Sequence, residues 1–147
     1  MKFITLKKQT LEDFLQRFVD TKDPAYDKKA AFANMRKTIW ETMLQPMQLQ
    51  KDGDIAFLNT LVKCQDVIKE VLADPEFETA AMEDADFEIF YKHFMEYKGW
   101  NPQFARVILT ASECLKHAQS GNTLGGKSER SKEERTPNRR SGRAAKT

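Results

Sequence analysis

The residues nearest to a chemical signature are Gly121 to Ser128, GNTLGGKS, which match the phosphate-loop pattern G-x-x-x-x-G-K-[ST] letter for letter. Such a loop works when a buried strand delivers its glycines and a following helix N-terminus turns its amides to the phosphates. Here the preceding stretch, Glu113 to Ser120, continues an amphipathic helical pattern. Only 19 residues follow Ser128, and none forms an apolar strand that could carry a magnesium-binding acid. The surroundings are rich in Gly, Ser and Lys, where chance matches are common. The match reads as linker, and the sequence points to no cofactor.

Other candidate chemistry also finds a structural reading. Glu83-Asp-Ala-Asp86-Phe-Glu88 has the acids of a calcium loop. Counted from Asp84, though, the positions that need Gly and Glu are Ile89 and Met95. These acids read as favouring the start of a helix through its dipole, with an acidic surface for a basic partner as the other reading. Cys64 and Cys114 lie on or beside apolar stripes, where a thiol serves as a small hydrophobe. Both read as buried structural thiols and not as nucleophiles, and two cysteines make no disulfide framework. His93 and His117 fall on different helices without a second ligand at metal spacing, so the sequence implies no metal site. With no nucleophile–base pair and no supported cofactor loop, the chain is not expected to be an enzyme.

Two groups of residues suggest binding instead. The aromatic series from Phe87 through Trp100 to Phe104 has helical spacing and reads first as core. Met95, Tyr97 and Trp100 do not all fit inside it, which makes them the candidate anchors for a protein partner. The second group is cationic. Lys127, Arg130, Lys132, Arg135, Arg139, Arg140, Arg143 and Lys146 are spread among Ser, Thr, Pro and Gly. Arg135, Arg139, Arg140, Arg143 and Lys146 are the candidates for binding nucleic acid without sequence preference, or an acidic protein surface.

The elements that must position these residues are helical. All 15 aromatic residues lie at or before Phe104. Residues 1–118 carry 16 Lys and Arg against 19 Asp and Glu, net −3, and residues 119–147 carry 8 against 3, net +5, which together give the chain's +2. Thr10, with Asp13 three residues on, reads as a helix start, and Leu11, Phe14, Leu15 and Phe18 share its inner face. Asp23-Pro24 separates this from a second helix striped by Phe32, Met35, Ile39, Met43 and Met47, which Pro46 ends or kinks. Asp54 caps a third, where Phe57, Leu61, Cys64, Ile68 and Val71 form a stripe that Ile55, Leu58, Val62, Val67 and Leu72 broaden. So wide an apolar arc predicts the central helix of the fold.

Residues 74–88, with seven acids and no base, read as an acidic loop or partial helix. A fourth helix carries Phe87, Phe90, Tyr91, Phe94 and Tyr97 and is ended by Gly99. Asn101-Pro102 opens a fifth, where Phe104, Ile108, Ala111, Leu115 and Ala118 align and Gly121 is the stop. Ile4 and Leu6 suggest a short N-terminal arm, with no visible strand to pair with.

The expectation is an all-α fold: one helical bundle of about five helices over residues 1–120, then a disordered basic tail over 121–147. No run approaches a membrane span and no signal peptide is evident, which suggests a cytoplasmic protein. The function expected is a non-enzymatic protein-interaction module: an assembly factor, adaptor or chaperone, by analogy of the kind met among viral and phage accessory proteins. The alternative is a nucleic-acid-binding regulator that uses the tail. Against it stand an acidic body and the lack of a basic recognition helix.

Overall fold

A computed structural model describes residues 1–120 and places five helices and three short strands among them. In order these are β1 (Lys2–Thr5), α1 (Lys8–Phe18), α2 (Lys28–Gln48), α3 (Ile55–Ala73), β2 (Thr79–Met82), α4 (Asp84–Glu96), α5 (Ala105–Lys116) and β3 (Gln119–Ser120). A 3₁₀ turn, Pro102–Phe104, leads into α5. The body is mostly helical, as the apolar periodicities require.

The N-terminal arm is not unpaired, contrary to what the sequence alone suggests. It is a strand, and it has partners: β1 lies between β2 and β3 in an antiparallel sheet. Its register sets Lys2 opposite Met82, Ile4 opposite Ala80 and Thr5 opposite Thr79. Alternation then turns Ile4, Ala80 and Met82 inward, all three buried, while Thr5 and Thr79 join hydroxyls at 3.0 Å. The acid-rich run 74–88 therefore holds a strand.

Its acids have local work. Glu78 accepts the Lys8 backbone N–H at 2.6 Å, so a carboxylate 70 residues away satisfies the first free donor of α1. The helix thus starts earlier than Thr10 would have set it, with Lys7 at the cap position. Glu76 meets the Lys8 ammonium at 2.6 Å, and this hydrogen bond holds the Lys8 pKa above its usual value.

The central helix is α2, which packs against α1, α3, α4 and α5. Ile39, Trp40 and Met43 on it are fully enclosed. Pro46 does not end it, because it sits in the last turn and the helix runs on to Gln48. Asp27 caps its start by accepting from the Lys29 and Ala30 amides. Arg36, within the buried stripe, donates from one nitrogen to the carbonyls of Val71, Asp74 and Phe77 at 2.7, 2.8 and 2.9 Å. A buried cation thereby closes the C-terminal end of α3 and the turn towards β2. Desolvation lowers its pKa, against the opposing pull of Asp74 and Glu76.

At the other boundaries, α4 ends as Tyr97 turns extended, before Gly99 is reached. Likewise α5 ends at Lys116, and Gln119–Ser120 joins the sheet beside Lys2 and Phe3. No helix among the described residues is long and apolar enough to cross a membrane.

Candidate functional site

The apolar arc of α3 divides into two faces. Phe57, Leu61, Cys64, Ile68 and Val71 turn inward, with Cys64, Ile68 and Val71 buried. Ile55, Leu58 and Val62 recur at spacings of three and four on the opposite side, at about 100° per residue. They are 72%, 46% and 52% exposed. The breadth of the arc therefore marks an apolar face turned to solvent and does not mark a central helix. The N-terminal half of α3 carries it, set there by the Asp54 cap, whose carboxylate accepts the Phe57 amide at 2.8 Å.

On the other side of this half of α3 runs an open groove of about 730 Å³, between α3, the C-terminal end of α2 and the second half of α4. Phe57, Thr60, Ile89, His93 and Tyr97 line it, with Lys92, Lys98 and Glu96 at hand. The Phe57 and His93 rings are 5.2 Å apart. His93 is fixed by a 2.9 Å hydrogen bond between Nδ1 and the Ile89 carbonyl, one turn earlier. Gly53 belongs here for want of space: a Cβ on it would fall 2.5 Å from Cδ2 of Phe57. Gly99 does the same for Tyr97, whose hydroxyl would be 2.5 Å from a Cβ there.

Compared with known proteins, the chain matches no family model, no curated sequence and no solved structure.

Of the three aromatic and sulfur anchors, the structure brings one to the groove. Tyr97 lines it. Trp100 packs against Phe94 at 4.9 Å and Tyr97 at 4.8 Å, half-buried on the core. Met95 also packs on the core, and Ser112 Oγ of α5 donates to its sulfur at 3.9 Å. The basic candidates Arg135, Arg139, Arg140, Arg143 and Lys146 lie outside the described residues, as does the GNTLGGKS run.

Cys64 and Cys114 are buried free thiols, and desolvation pushes both pKa values up to about 12. Cys64 donates to the Met82 sulfur at 3.9 Å. His117 sits at the end of α5 against Glu113, at 3.2 Å. Asp86 is buried in the first turn of α4, and Lys63 of α3 approaches it at 3.8 Å. The exposed apolar face was legible only in part, because spacing groups Ile55, Leu58 and Val62 without saying whether a neighbour covers them.

Proposed function

We propose that this chain is a non-enzymatic helical protein-interaction module, an assembly factor, adaptor or chaperone, whose docking face is the N-terminal half of α3. The observation that supports it is the solvent-facing stripe of Ile55, Leu58 and Val62. Single exposed apolar residues are ordinary on protein surfaces. Three large ones aligned on one helical face form the kind of patch that a partner covers. A rigid bundle presents that face without further ordering of the backbone, which lowers the entropy cost of binding.

The test is affinity capture with the full chain, Leu58→Glu and Val62→Glu, followed by calorimetry on the purified pair. Because both positions are exposed, the variants keep the wild-type melting temperature while placing a charge in the contact. The expected result is a partner that the parent chain binds and both variants lose. A partner bound equally by the variants, or by residues 121–147 alone, overturns this reading.

A further inference from the structure

A second surface joins apolar area to two arginines. Phe18, the last residue of α1, and Leu109 on α5 are 42% and 63% exposed. The Arg106 guanidinium lies 4.1 Å from the centre of the Phe18 ring, and that of Arg17 lies 6.0 Å from it. Leu109 follows Arg106 by three residues and so shares its side of α5. Among the described residues, neither Arg17 nor Arg106 takes part in an ion pair.

We propose that this patch docks an acidic, apolar peptide segment of a partner protein. A bulky side chain packs on Phe18 and Leu109, and flanking carboxylates pair with Arg106 and Arg17. Arginine beside an exposed aromatic ring is the composition of interface hot spots, and its planar fork matches a carboxylate with two parallel hydrogen bonds.

Charge selects among the possible occupants. The chain's own residues 119–147 carry net +5 and would bring like charge to these arginines. A second copy docked through the same patch about a two-fold axis would set arginine against arginine. Nucleic acid fits poorly. Two arginines are too few to make a track for a phosphate backbone. This surface is separate from the α3 face, so the inference stands or falls independently of the function proposed above.

Two synthetic peptides test it against the full chain by amide-resonance titration at low salt: one alternating Glu and Asp with Leu and Phe, the other with Gln and Asn in place of the acids. The acidic peptide should shift resonances of Phe18, Arg106 and Leu109, and the neutral one should bind about tenfold more weakly. Arg106→Gln and Leu109→Ser should each weaken the acidic peptide about tenfold at unchanged melting temperature, while Leu58→Ser leaves it alone. No shift at these residues, equal binding of the neutral peptide, or full affinity in Arg106→Gln overturns the proposal. A thymidine oligonucleotide that moves the same resonances at lower concentration also overturns it, in favour of nucleic acid.

Discussion

Arg36 holds together parts of the chain that no local pattern connects. Its guanidinium serves three carbonyls where α3 ends, and for the Val71 and Asp74 carbonyls it adds to a backbone N–H they already accept. Arg36→Met should keep the aliphatic packing and remove the donors. The expected cost is about 3 kcal/mol in denaturant unfolding, the range of a hydrogen bond to a charged group. A loss below about 1 kcal/mol would show that water replaces the contacts. The residue was within reach of sequence reading, since Phe32, Arg36, Ile39 and Met43 fall at helical spacing, but a cation on that stripe reads as solvated until its acceptors are known. The cysteines give a second residue-scale expectation. Their pKa values rise from 9.0 to about 12 because burial disfavours the thiolate. A raised folded pKa of this kind contributes stability that is fully present below pH 9.0 and is lost as pH rises towards about 12. Native protein at neutral pH should therefore react with a disulfide reagent only as fast as it opens, and both thiols should react at once in denaturant. Rapid labelling of either thiol in the native state would contradict this assignment.

The helices were legible because each buries a stripe that recurs every three or four residues, and that period survives without knowledge of neighbours. The sheet was not, because β1 and β2 are four residues each and meet 74 positions apart. Thr-Ala-Ala-Met within a run of acids has little β-propensity of its own, so its strand state comes from pairing with Phe3 and Ile4 and from covering the core. Helix ends failed for a related reason. Sequence offered Thr10 as the cap of α1, but the acceptor is Glu78, and Gly99 spares Tyr97 a clash without terminating α4. The ranking of α2 over α3 is testable by truncating matched aliphatic residues. Ile39 is fully enclosed and Leu61 only half-buried. Ile39→Ala should cost about 2–5 kcal/mol, and Leu61→Ala about half as much. Equal losses would restore α3 to the centre.

At the scale of the whole molecule, charge and core are divided along the chain. Residues 1–118 hold every aromatic side chain and a net −3, and residues 119–147 hold net +5. All the buried contacts described for the body are made before residue 119. Removing residues 121–147 should therefore leave helical circular dichroism and cooperative melting nearly unchanged. The same truncation separates binding proposed for the α3 face from binding through the basic residues of 119–147. Binding through Ile55, Leu58 and Val62 buries apolar area, so it should survive in the 1–120 fragment and change little as salt is raised. Binding through Arg139, Arg140 and Arg143 should vanish with the truncation. In the full chain on duplex DNA it should weaken with salt at a slope of about −0.9 for each phosphate neutralised. The eight cations of the tail cap the number of contacts, and Glu129, Glu133 and Glu134 reduce their effect. Calorimetry of full-length and 1–120 protein at two salt concentrations reads both properties together. A partner that the fragment retains with little salt dependence supports the α3 face, and one lost with residues 121–147 shows that the tail makes the contact.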